Sequence, residues 1–253
     1  MIRDTIVFTV HMRPWYLREV LASWGEVRRI QDWRIIFKVE PSPLITEVTS
    51  VIDHFRHPDK QIVFNPEKLG VLVNPWDGLD ASFRTGAQFS VVAEEDLIVS
   101  DDVLEYMEWA RDEFLDQPRV LGAMCQMQGT FESDDPSEVA LVQDFNPWIW
   151  GTWTSRWKSV LRDTWDKDYN SGGASDSGWD WNIAKRLLPR FDMVMAVTGA
   201  ARSQNIGKFL GTHASPDDFE GTQAKTFSNH RDPVQYRVVG DLSDSGEVVT
   251  DIT

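Results

Sequence analysis

Apolar, β-branched runs alternate with helically spaced apolar residues along the first part of the chain. Residues 6–10 form a short buried-strand pattern. After His11-Met-Arg13, Pro14 suits the first turn of a helix in which Tyr16, Leu17, Val20, Leu21 and Trp24 recur before Gly25. Residues 33–39 read as a second strand, 45–55 as an amphipathic helix and 61–64 as a third strand, an order of β-α-β-α-β that predicts a parallel sheet. A polar loop with Asn65, Lys68, Gly70 and Asn74 follows. The pattern then predicts a helix over 76–88 and a strand over 89–93 running into Glu94-Glu-Asp96. A helix over 103–117, capped by Ser100, and a strand over 120–125 come next.

Gly, Ser, Asp and Trp replace the β-branched runs farther on. Helices are predicted over 155–164 and about 179–188, and a strand over 193–198. The Gly/Ser-rich segment 171–178 reads either as a lid that orders over a ligand or as a plain linker. From 229 to 253 the chain is polar and acidic, and loose packing or fraying is expected. The simplest description is α/β: a mostly parallel sheet flanked by helices, one domain over 1–228 with a first half over 1–100 and an embellished second half over 101–228, then a tail over 229–253.

Composition narrows the class. With 42% apolar and 11% aromatic residues in 253, the chain can bury a core. A net charge of −15 repels duplex nucleic acid and anionic membrane surfaces. Local basic patches are still conceivable at Arg28-Arg29, Lys185-Arg186, Arg202 and Lys208. No window approaches a membrane span. The single cysteine, Cys125, excludes an intrachain disulfide framework, so a cytoplasmic protein is expected. Twelve tryptophans must cover either core or a flat ligand. Of Trp148, Trp150 and Trp153, two are expected in the core.

Three acids at the end of a buried strand raise one another's pKa unless a cation neutralises them. Glu94-Glu-Asp96 therefore reads either as a solvated loop or as a metal site. At the carboxyl edge of an open α/β sheet, oxygen ligands suit Mg²⁺ or Mn²⁺ on the phosphates of a nucleotide. Asp180, between Trp179 and Trp181, reads either as a partly desolvated general base or as an acid at a helix N-terminus.

Arg13-Pro-Trp-Tyr-Leu17 after the first strand, Glu40 after the second and Glu94-Glu-Asp96-Leu-Ile-Val-Ser-Asp-Asp102 after the fourth resemble the nucleotide-binding half of GT-A glycosyltransferases. The acidic segment is similar to the variant DXD motif of the N-acetylglucosaminyltransferase I group. Gly178-Trp-Asp-Trp181 resembles the segment that carries the catalytic base in that group. Residues 205–213 resemble the loop that closes over donor phosphates. Compact phage and bacterial glycosyltransferases are also similar.

The resemblance implies a metal-dependent, inverting transfer from a nucleotide-diphosphate sugar, UDP favoured, to a protein or glycan acceptor. It implies that Asp96 binds Mn²⁺ or Mg²⁺, that Glu94 and Glu95 face ribose, metal water or donor sugar, and that Glu40 meets the base or ribose. His11 and Arg13 would lie beside the nucleotide, and Asp180 would be the base, with Asp176 in reserve and Asp217 or Asp218 beyond it. His213 reads as a metal ligand, a diphosphate contact or a solvated loop residue. Three other readings stand beside this one. A sugar nucleotidyltransferase would want a Gly-rich, Arg-containing loop where His11-Met-Arg-Pro14 stands. A non-catalytic carbohydrate- or nucleotide-binding protein, and a phage-type enzyme acting on modified DNA, are the others.

Overall fold

Strands β1 (Thr5–Val10), β2 (Arg34–Val39), β3 (Lys60–Phe64) and β4 (Phe89–Glu94) lie parallel, with β1 between β2 and β4 and β3 outermost. The connecting helices are α1 (Pro14–Gly25), α2 (Ile45–His54) and α3 (Asn74–Arg84). This is the parallel unit expected from the alternating pattern. The computed structural model describes residues 3–127, 130–173, 177–209, 219, 227–228 and 232–242.

Beyond β4 come β5 (Leu97–Val99), α4 (Val103–Glu113), β6 (Val120–Met124), β7 (Glu138–Val142) and β8 (Trp150–Trp153). A helix, α5, is α over Thr154–Arg156 and widens to a π turn over Trp157–Leu161. A second, α6, runs through Trp179–Asn182, a π turn Ile183–Leu187 and Leu188–Arg190. Strands β9 (Val194–Thr198), β10 (Ser203–Asn205) and β11 (Arg237–Asp241) complete the described elements. The main sheet is ordered β11-β7-β9-β6-β8-β4-β1-β2-β3, and β5 pairs antiparallel with β10 apart from it.

Strand alternation divides the core into two layers. Phe8, Phe37, Val91 and Ala123 face α1, α2 and α4, whereas Val92, Leu121, Met195 and Val197 face α3, α5 and α6. Strand β8 runs antiparallel between β4 and β6, which are thereby parallel to one another. The carboxyl ends of β1, β2, β4, β6 and β9 consequently meet at one edge, the usual place for a ligand in an open α/β sheet.

Five strands escape the sequence pattern: β5, β7, β8, β10 and β11. Trp-Gly-Thr-Trp carries no β-branched run, yet β8 is central and fully buried. Its glycine is required, because a Cβ at Gly151 would sit 2.6 Å from the Phe89 ring. Arg237–Asp241 does not fray but pairs with β7 at the sheet edge. Helix α4 ends at Glu113 rather than 117, where the buried Arg156 donates to the Phe114, Leu115 and Gln117 carbonyls. Ser100 does not cap that helix by its side chain. Its hydroxyl instead donates to Asp102 Oδ1 at 2.6 Å.

Asp102 belongs to a fully buried ion pair with Arg202. The guanidinium donates to Asp102 Oδ2 at 3.1 and 3.0 Å and to the carbonyls of Ala200 and Pro136, and lies over Tyr106 and Tyr236. Arg202 is thus no surface cation. Arg28 pairs with Asp101 and Glu105, Arg29 with Asp32 and Glu108, Lys185 with Asp144 and Arg186 with Asp166. Arg28, Arg29, Lys185, Arg186 and Arg202 are thus each faced by an acid, whereas Lys208 lies over the Phe219 ring. Among the described residues no helix is long and apolar enough to cross a membrane.

Removing one partner of a buried pair strands the other charge. Arg202→Met is expected to cost about 3–5 kcal/mol in stability, and Arg202→Met with Asp102→Asn less than the single change. Denaturant unfolding of the three proteins checks this, and a single variant as stable as wild type would contradict it.

Candidate active site

Glu94 ends β4, and Glu95 and Asp96 form the turn into β5. One guanidinium serves both turn acids: Arg13 Nε donates to Glu95 Oε1 at 2.8 Å, and its Nη1 lies 2.8 Å from Asp96 Oδ2. Glu95 Oε2 also accepts the His11 backbone N–H at 2.8 Å. The loop after β1 and the turn after β4 are therefore one unit. Pro14 fixes the first turn of α1 and so aims the residues just before it at the acids.

Among the described residues Glu94 has no ion pair of its own. Burial, then the Asp96 charge, push its carboxyl up to about 8 against the pull of Arg13, with Glu95 and Asp180 adding repulsion. Burial likewise raises Asp96, opposed by Arg13. Burial and Lys68 hold His11 below its ordinary value, against Glu95 and Glu40, so its imidazole is neutral at pH 7. From the other side, the Ile206 N–H donates to the Asp96 carbonyl, and Gly207 packs so closely that a Cβ there would overlap Asp96 Oδ2.

Asp180 is on the first turn of α6, and its charge is among those that raise Glu94. It is half-buried, beside the buried Trp179 and the half-exposed Trp181. The Trp179 ring stacks on Trp165 at 4.4 Å, and their indole N–H groups donate to the carbonyls of Val71 and Leu72. Glu40 anchors the same loop, its Oε1 accepting from the Leu69 and Gly70 N–H groups at 2.9 and 2.8 Å. In this arrangement Glu40 and Glu95 shape the site through the backbone and through Arg13. The ends of the Gly/Ser-rich segment are tied, with Asn170 bridging Ser177 and the Gly178 N–H donating to the Tyr169 carbonyl.

Asp96 Oδ1 is buried and, among the described residues, has no hydrogen-bond partner. An orphaned carboxylate oxygen at this edge fits a hard divalent cation, which commonly takes one or two protein carboxylates and fills its shell with phosphate and water. Among the described residues no three His, Cys, Asp or Glu side chains are grouped to hold a metal on their own. The fit is thus to a cation shared with a phosphate ligand. His213, Asp176, Asp217 and Asp218 lie outside the described residues.

Sequence reasoning missed Gln126. It follows β6 at the same edge, is 3% exposed, and neither its amide oxygen nor its amide nitrogen has a partner among the described residues. Burying such an amide without a partner costs about 1–3 kcal/mol. No local pattern around Cys125-Gln-Met127 signals this.

The architecture has known counterparts. The mannosyltransferase PcManGT from Pyrobaculum calidifontis, solved with GDP-Man and Mn²⁺, superposes with a TM-score of 0.53 at 12% identity, over 77% of this chain and 56% of that one. S. aureus TarS 1–349, solved with UDP-GlcNAc, superposes with a TM-score of 0.54 at 13% identity, over 87% of this chain and 64% of that one. The chain spans less than two thirds of the length of either. These likenesses define the fold as the Rossmann-like GT-A fold, a mixed, mostly parallel sheet flanked by helices. At the level of sequence, neither a family model nor a curated protein matches the chain.

Glu94 gives the site a pH signature. Its folded value is raised, so the stability it contributes is fully present below the ordinary 4.5 and is lost as pH rises toward about 8. Glu94→Gln is expected to flatten the fall in melting temperature across that interval and to melt higher than wild type at the alkaline end. Parallel melting profiles for the two proteins would contradict the assignment.

Proposed function

We propose that this protein is a metal-dependent, inverting glycosyltransferase that moves a sugar from a nucleotide-diphosphate sugar, UDP-linked by preference, to a hydroxyl of a glycan or protein acceptor. The observation that supports the reading is that Asp180, from the second half of the chain, is near enough to the acidic turn after β4 for its charge to act on Glu94. A carboxylate from the second half of the chain thereby faces the carboxyl edge where phosphates bind in such sheets. The nucleotide sugars held by PcManGT and TarS, and the Mn²⁺ of the former, support the donor class.

Asp96 Oδ1 would hold Mn²⁺ or Mg²⁺ together with the donor diphosphate. When bound, the ion supplies charge stabilisation to the departing nucleoside diphosphate. Glu95 keeps Arg13 beside Asp96, where the guanidinium can also reach a phosphate oxygen. Glu94, whose carboxyl is raised by burial and by Asp96, would meet a donor-sugar or water oxygen. His11 is neutral and close to Lys68 and Glu40, which suits a contact with the nucleoside. Asp180 accepts the proton of the acceptor hydroxyl as that oxygen attacks the anomeric carbon, and the buried Trp179 beside it partly desolvates the carboxylate.

Two measurements test the reading. UDP is expected to raise the melting temperature much more with Mn²⁺ than with EDTA, and Asp96→Ala to abolish the difference. Asp180→Asn is expected to lower turnover by about 10²–10⁴ with donor affinity nearly unchanged. Near-normal turnover in Asp180→Asn would overturn the base assignment, and retention of configuration at the anomeric carbon, read from NMR coupling constants, would overturn inversion.

A further inference from the structure

The cleft beside Asp180 has a chemistry of its own. It encloses about 370 Å³, within the roughly 300–1,000 Å³ range of small-molecule sites, and its walls include Met127, Pro147, Trp148, Trp181, Asp144 and Lys185, with Asp180 among them. Trp148 and Trp181 are half-exposed, in contrast to Trp150 and Trp153, which are sealed in the core at 0% and 1%. Two indoles left partly open in one cleft offer flat apolar surface to a ligand.

The polar groups are as informative. Lys185 Nζ lies 3.5 Å from Asp144 Oδ1 and 5.7 Å from the centre of the Trp181 ring, so its ammonium group is already balanced by a carboxylate. Asp180 adds a second carboxylate. Such a wall accepts hydrogen bonds from neutral hydroxyls and repels a phosphate or carboxylate ligand. Gln126, whose buried amide lacks a partner among the described residues, immediately precedes the lining residue Met127. An apolar face edged with hydroxyl donors is the description of a pyranose ring.

We propose that this cleft is a subsite for a neutral pyranose of the acceptor, resting on the indoles of Trp148 and Trp181 with its hydroxyls on Asp144 and Asp180, so that the protein extends a glycan. The inference rests on the transferase reading for its biological sense, since Asp180 serves both. It selects a carbohydrate over a nucleic acid, whose phosphates the two carboxylates oppose.

Saturation-transfer NMR on the full chain tests it, with methyl glycosides of glucose, galactose, mannose and N-acetylglucosamine as probes and methyl phosphate as the control. At least one glycoside is expected to bind, methyl phosphate is not, and Trp181→Ala and Trp148→Ala are each expected to weaken the glycoside by about three- to tenfold. Trp181→Phe, which keeps an aromatic face, is expected to retain most of the affinity, which separates loss of a stacking surface from loss of fold. Absence of glycoside binding, or binding indifferent to both alanine substitutions, would overturn the subsite. UDP-sugar binding to wild type is followed on the same samples: nucleotide binding without glycoside binding removes the subsite alone. Trp181-dependent glycoside binding without nucleotide binding supports the subsite and removes the donor reading.

Discussion

Three carboxylates at the end of a buried strand cannot all stay charged without compensation, and the region around β4 is organised by that fact. Arg13 answers two of them, Glu95 and Asp96, while burial and the Asp96 charge push the Glu94 carboxyl up. Holding Arg13 in place ties the loop after β1 to the turn after β4, and the contact of Gly207 with Asp96 ties in the strand that follows Arg202. The same low-dielectric setting that makes the acids costly is what would let a cation and a diphosphate bind there with effect. Charge that is expensive in the free protein becomes useful once a ligand shares it.

A second electrostatic knot lies behind the first. Asp102 and Arg202 are wholly buried, and their partners come from the turns beside β5, β7 and β10 as well as from Tyr106 of α4 and Tyr236 before β11. The Ser100 N–H donates to the Arg202 carbonyl, which fixes β10 alongside β5 and hence delivers Gly207 to Asp96. The pair thus acts on the edge of the sheet through backbone geometry rather than by touching a ligand.

Much of the first half was legible in the sequence because its strands are β-branched and its helices amphipathic, patterns that follow directly from burial on one or both faces. The acidic turn and Asp180 could be picked out as residue types, since each sits where a buried strand or an aromatic pair ends. Strand β8 could not, because Gly151 satisfies a steric demand set by Phe89, a residue some sixty positions away. Arg202 was equally opaque: nothing local distinguishes a cation that will be entombed with an aspartate a hundred residues upstream from one on the surface. Gln126 shows the same limit, its significance residing in partners it lacks. Periodicity reports burial; it does not report which distant group a buried side chain meets.

The position of β8 bears on how the chain can be divided. Residues 1–100 contain four parallel strands and look self-sufficient in sequence, but their inner edge at β4 is hydrogen-bonded along Phe89–Val92 to a strand contributed from residue 150 onward. Cut off there, β4 would present an unpaired, apolar ladder, the kind of edge that templates association with other chains. Closing the sheet therefore joins segments made far apart in time at the ribosome, and until Trp150–Trp153 emerges β4 has no strand to pair with on that side.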